Sequence, residues 1–281
     1  MPTSTAVSGS EGCAMRQYLS FFRIRFVAGL QYRTAAFAGF FTQLFWGLME
    51  IMMFRAFYLY APEKLPMEMQ ALSSYIWIQQ GTLCIWNLYG WEQELFESVR
   101  SGAVAYELIR PADLYAMWSA RGFAGRLSKT LPRLVPVLIV GILLPAPYGL
   151  RLTISFPVFL LFLLSLLLML WLVVAICMLC YTVTFYVTDY RGIVTFVPAL
   201  SEIFSGDLLP LPFFPPVLRR VAELSPFGSL QNVPLRIFGG DIAGTQIFRA
   251  MGLQLCWCLF MTALGYALMQ RGLRRTVIAG G

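Results

Sequence analysis

Histidine is absent from this chain, which removes the commonest general base and the commonest metal ligand. Charge is nearly as scarce: only 12% of the 281 residues are Asp, Glu, Lys or Arg, against about 25% in soluble domains. So few ionic groups cannot solvate a globular surface, and the 58% hydrophobic content points to a membrane. No GxxxxGK(S/T) loop is present, which excludes a phosphate cradle of that kind. Neither a fixed-period repeat nor a low-complexity linker interrupts the text. The opening MPTSTAVSGSEGCAMRQ has no apolar core before a cleavage site. A removable signal peptide is therefore not expected, and residues 1–13 are expected to lack order. Cysteine is sparse too. The CxxC of Cys177 and Cys180 lies in a continuous apolar run, where it reads as two small core residues rather than a redox or metal pair.

What is present is organised for a bilayer. From Ala14 to Tyr32, Met15, Leu19, Phe22, Phe26 and Leu30 recur at helical spacing, with Arg16, Ser20 and Arg23 on another face. This predicts an interfacial helix over 14–33, arginines toward lipid phosphates. Immersing Arg16, Arg23, Arg25 and Arg33 would cost roughly 2.5–3.5 kcal/mol each near the bilayer centre. Six spans are expected, at about 34–54, 72–89, 134–144, 154–187, 192–204 and 246–269. The fourth would reach roughly 50 Å and must tilt or project beyond a hydrocarbon core of roughly 30 Å. The fold class expected is therefore an all-α membrane protein, with a transmembrane domain over 34–271 and a tail over 272–281.

Lys and Arg in the connections set the orientation. One side carries the four N-terminal arginines, six basic residues between Arg100 and Arg133, Arg191, and Arg271, Arg274 and Arg275. The other has Arg55, Lys64, Arg151, Arg219, Arg220, Arg236 and Arg249, half as many. Both termini are expected in the cytosol. The net charge of +7 flanks apolar spans instead of forming a stripe, which favours anionic membrane lipids over nucleic acid as partners.

Two connections are unusual. A cytosolic region, 92–133, contains WEQELFESV and then SGAVAYELIR, two short amphipathic helices, the second stopped by Pro111 with a new start at Asp113. Their apolar faces must be buried against neighbours in the chain or against a soluble partner. The external region 205–245 has five prolines between Pro210 and Pro226, which forbid a continuous helix. LLPLPFFPPVL is nevertheless too apolar for an exposed loop, so it is expected to dip back toward the membrane, as a gate or as a cap. Within the spans, Glu50 and Glu202 are ionisable groups at membrane depth. Glu50 would pair with Arg55 or face a path; Glu202 adjoins the broken backbone at Asp207. Gln43, Gln79 and Gln80 would line the same path or bond between helices.

The chain resembles the membrane subunit of type-2 ABC exporters, the ABC-2-type permeases. The likeness is to a bacterial six-span subgroup and rests on RQYLSFFRIRFVAGLQYRTAAFAG (16–39), WGLMEIMMFRAFY (46–58), ESVRSGAVAYELIRPADLY (97–115), SGDLLPLPFFP (205–215) and SPFGSLQNVPLRIFGG (225–240). The resemblance implies an inner-membrane exporter subunit with a coupling helix between spans 2 and 3 and a re-entrant hairpin between spans 5 and 6. Hydrolysis of ATP, with Mg, would belong to separate ATPase subunits. A second permease, related or identical, would complete a dimer, and the cargo would be amphipathic or hydrophobic. Carried onto this chain, Tyr106, Leu108 and Ile109 become candidate anchors in an ATPase groove, with Glu107, Arg110 and Pro111 beside them. From their depth and setting rather than from the resemblance, Glu202, Glu50, Gln43 and Asp207 are candidates for the path or gate. From the residues alone, an ion-coupled secondary transporter and a scaffold without a path of its own stay open as alternatives. An enzyme does not, because the carboxylates are too dispersed.

Overall fold

A computed structural model describes residues 5–31, 33–60, 65–109, 112–152, 154–187 and 189–275. All regular structure among these residues is helical. The helices are α1 (Thr5–Leu30), α2 (Arg33–Tyr60), α3 (Met69–Trp86), α4 (Gln93–Arg100), α5 (Val104–Leu108), α6 (Leu114–Leu143), α7 (Phe156–Val183) and α8 (Arg191–Phe204). A 3₁₀ turn (Leu211–Phe213), α9 (Pro216–Leu224), α10 (Asn232–Gly239) and α11 (Thr245–Arg275) complete the order. The chain is helical already from Thr5, whereas the sequence suggested no order before residue 14.

Among the described residues, α2, α7 and α11 are long and apolar enough to cross a membrane by length and composition. The other three expected spans differ for identifiable reasons. Helix α3 has 18 residues but carries Gln70, Gln79 and Gln80. Helix α6 is continuous for 30 residues through Pro132 and Pro136, so the apolar segment 134–144 is only its last third. Its start is the one the sequence marks, with Asp113 Oδ1 accepting from the Ala116 N–H at 2.8 Å. Helix α8 has 14 residues and rises only about 21 Å, short of a roughly 30 Å core.

Helix α7 packs along α11, while α6 receives α1 on one side and α3 on another. Two apolar clusters form the interior. One gathers Trp86, Phe96, Trp118, Met178 and Tyr181 near α4 and α5. The other gathers Ile51, Phe54, Tyr75, Trp77 and Leu235 toward the opposite end. Along α3 the second cluster stops at Ile78 and the first begins at Ile85, with Gln79, Gln80 and Thr82 buried between them. The polar centre of the bundle lies at that seam.

Candidate functional site

The short helices after α3 are held by side chains the sequence supplies at close range. Leu95 and Phe96 are buried, and Phe96 stacks on Tyr190 at 4.6 Å and meets Tyr181 edge-on at 4.8 Å. Gly102 turns the chain between α4 and α5 with φ +76°, a conformation that side chains disfavour. Val104 then plugs into the core with no exposed surface. Glu107 faces inward, accepting from Trp118 Nε1 at 2.8 Å, and the Asp113 N–H donates to Tyr18 Oη at 2.8 Å. Tyr106, Leu108 and Ile109 point the other way, 77%, 44% and 79% exposed. The result is a stub fixed along one side and apolar on the other. Arg110 and Pro111 lie outside the described residues.

Ionic contacts tie the base of this stub to its neighbours. Arg121 bridges Glu92 at 2.8 Å and Glu94 at 2.5 Å, and its hydrogen bond and charge hold the Glu94 carboxyl below the usual carboxylate range. Tyr190 Oη donates to Glu97 Oε1 at 2.8 Å; with the Arg100 guanidinium it depresses the Glu97 carboxyl as well. Trp91 Nε1 donates to the Val194 carbonyl at 3.2 Å. Tyr190 caps α8 and Val194 lies in its first turn, so α4 and the residue pair before it are tied directly to that helix. Asp189 does not pair with the Arg191 side chain but accepts from its backbone N–H at 2.9 Å.

The far end of α8 is the second part of the site. Ser205 closes the helix through its N–H to the Ser201 carbonyl at 2.8 Å, and Gly206 follows with φ +82°, the left-handed stop expected there. A Cβ on Gly206 would lie 3.2 Å from the Leu211 N and 3.4 Å from Tyr75 Oη. The turn delivers Asp207 to α3, where Gln79 Nε2 donates to its Oδ1 at 2.9 Å and to its carbonyl at 3.2 Å. Gln231 Nε2 reaches Ser205 Oγ at 3.4 Å. Beyond it, Gln254 of α11 bonds the Ser229 carbonyl at 2.9 Å and accepts from Ser165 of α7 at 3.0 Å. Amide and hydroxyl groups thus form a layer joining α3, α7, α11 and the 205–231 segment.

Glu50 belongs to this layer: it faces Gln80 and lies within electrostatic reach of Asp207. The Glu50–Arg55 ion pair considered from the sequence is not formed; Arg55 lies over the Tyr148 ring at 5.6 Å. Several polar atoms here are buried without a protein partner, including Glu50 Oε1, Tyr75 Oη, Gln79 Oε1 and Gln231 Oε1. Such atoms are uncommon in protein interiors. Gln43 sits two turns before Glu50 on the same buried face of α2 and contacts Cys84 Sγ at 4.0 Å. Glu202, partly exposed, lies beside Tyr89 and near Asp207.

A model of a family described as ABC-2 family transporter protein matches residues 46–280. The chain belongs to that family. No curated protein and no solved structure matches it. As an ABC-2 permease it is a transmembrane transport component rather than an enzyme, and permeases of this family generally work with ATPase subunits. The matched span includes both α5 and the polar layer.

Among the permease's sequence candidates, the structure brings Glu50, Asp207 and Glu202 into one neighbourhood and leaves Gln43 at its edge. It also adds Tyr75, Ser205 and Gln231, which no local pattern marks because their meeting depends on the turn at Gly206. Gly206→Ala is expected to strain that turn by about 1–2 kcal/mol. A lower thermal midpoint in detergent, with α-helical content otherwise intact, is the measurement that checks it.

Proposed function

We propose that this permease is the membrane subunit of an ATP-driven exporter in a bacterial cytoplasmic membrane, with both termini in the cytosol. The exposed apolar side of α5 seats in a groove of a separate ATPase, which supplies ATP and Mg. Tyr106, Leu108 and Ile109 are the anchors, Arg110 and Pro111 are further candidate contacts, and Glu107 fixes the orientation of α5 through Trp118. The observation that carries this reading is the contrast within one five-residue helix: Val104 fully buried, Tyr106 three-quarters exposed. A soluble surface has no use for three such residues together, whereas a docking knob needs a rigid base and a free apolar tip.

The mechanical consequence follows from the linkage to α8. A push on α5 is passed by α4 to Tyr190 and Val194, and along α8 to Glu202 and Asp207. There it would shift the polar layer and open or close the path on the external side. Apolar walls above and below a polar layer suit an amphipathic solute. A second permease, identical or related, would complete the path; the face of α2 bearing Phe37, Phe41, Phe45 and Trp46 is exposed and faces that partner or lipid.

Affinity purification of the full chain from its own membranes tests the reading. A nucleotide-binding subunit is expected to co-purify in stoichiometric amount, and its hydrolysis of ATP is expected to respond to cargo. Solute movement against a gradient by the purified chain alone, without that subunit, would overturn the proposal.

A further inference from the structure

A cleft of about 740 Å³ opens where the end of α1, the start of α2 and the middle of α6 meet. Its volume is within the usual range for small-ligand sites, roughly 300–1,000 Å³. Its lining is divided. Arg25, Arg33, Arg121, Lys129 and Arg133 supply five cations, against two carboxylates, Glu92 and Glu94. Both carboxylates are engaged by Arg121. Among the described residues, Arg25, Arg33, Lys129 and Arg133 form no ion pair. The remaining wall is apolar, formed by Leu30, Phe37 and Phe40 with Pro132 and Pro136.

Arg133 is the built part of the site. Its guanidinium lies flat against Gly39, where a Cβ would come within 2.2 Å of Cζ. Nη2 donates to the Ala35 carbonyl at 3.0 Å and Nη1 to Cys84 Sγ at 3.3 Å. Its Nε is buried with no acceptor. A cation is therefore held at the inner end of the cleft, while Arg33 and Lys129 stand exposed at its mouth.

We propose that this cleft binds one anionic phospholipid of the bilayer, its phosphate among Arg33, Lys129 and Arg133 and an acyl chain against Phe37 and Phe40. Excess positive charge selects an anionic head, and paired guanidinium and ammonium donors suit phosphate oxygens. A free phosphate would leave the apolar half unused. A lipid fits both halves, since α2 carries the apolar wall directly into a helix long enough to span the membrane. This goes beyond the transport reading and does not depend on it.

The test uses the full-length protein in neutral detergent and native mass spectrometry. Phosphatidylglycerol, phosphatidylcholine and inorganic phosphate are titrated in separate arms. Phosphatidylglycerol is expected to bind one per chain, and the double substitution Arg33→Ala with Lys129→Ala to weaken it roughly 30-fold, about fivefold per lost cation. Both side chains are exposed, so the thermal midpoint is expected to stay in place. Phe37→Ser is expected to weaken phosphatidylglycerol while leaving inorganic phosphate unaffected. Equal affinity for phosphatidylcholine, an unchanged double variant, or inorganic phosphate binding as tightly as phosphatidylglycerol would each overturn the assignment. None of these readouts involves ATP or transport, so failure here leaves the exporter reading untouched.

Discussion

Aspartate at both Leu108 and Ile109 is expected to abolish ATP-driven transport while leaving the amount of permease in the membrane unchanged. The two side chains are exposed, and surface substitutions of this kind usually alter stability by no more than about 0.5 kcal/mol. The anchoring of the stub lies elsewhere, in Phe96, Val104 and the Trp118–Glu107 bond. Docking is the step that suffers. An apolar anchor filling a pocket is worth about 2 kcal/mol or more, so even one loss weakens the complex about 30-fold. Each aspartate would add the cost of drying a carboxylate in the groove. Hydrolysis by the ATPase should then continue at its own basal rate, without responding to permease or cargo. The measurement is paired: transport into inverted vesicles, and ATP turnover in the same vesicles. Transport at the unsubstituted rate would retire the docking assignment.

The sequence displays this region well because its signals are local. Gly102, Asp113 and the spacing of Leu95, Phe96 and Val99 mark two short helices and a new start, and the structure has all three. The orientation of Glu107 was not legible: nothing near residue 107 announces that Trp118, eleven residues on, would turn back to meet it. The same limit explains α6. Its first half is amphipathic and charged, so hydropathy alone detects only the apolar end, although α1 and α3 both pack against it. Glu50 is a case in which the sequence left two readings open. Its nearest opposite charge in sequence is Arg55, five positions away, but a helix turns 3.6 residues per turn. The two groups therefore leave the axis in different directions, and Glu50 goes to Gln80 instead. Asp207 and Glu202 were readable as neighbours of a break; that the break lies opposite Gln79 is a tertiary fact.

Arg126→Ala is expected to damage the bundle severely, and it falls on a residue no motif singles out. The side chain is buried, with Nη1 donating to the carbonyls of Ile85 at 2.7 Å and Asn87 at 2.8 Å and Nη2 reaching Cys177 Sγ at 3.2 Å. Those carbonyls belong to the last turn of α3 and the residue after it, where a helix leaves acceptors unpaired and where positive charge is favourable. Removing the guanidinium strands at least two acceptors, each costing about 1–3 kcal/mol, and opens a cavity besides. The total, about 3–5 kcal/mol, is a large share of a net stability that is about 5–15 kcal/mol for most folds. A sharp fall in the detergent melting midpoint and in membrane yield is the expected result. Arg126→Met separates the contributions: it refills the volume but bonds nothing, so recovery in that variant would assign the residue to packing. Arg126→Lys should recover only in part, because one ammonium cannot serve both the end of α3 and the α7 thiol. Since residues 87–92 run from this anchored end into α4, any surviving Arg126→Ala molecules should also couple poorly: the docking element would be pushed against a base that yields.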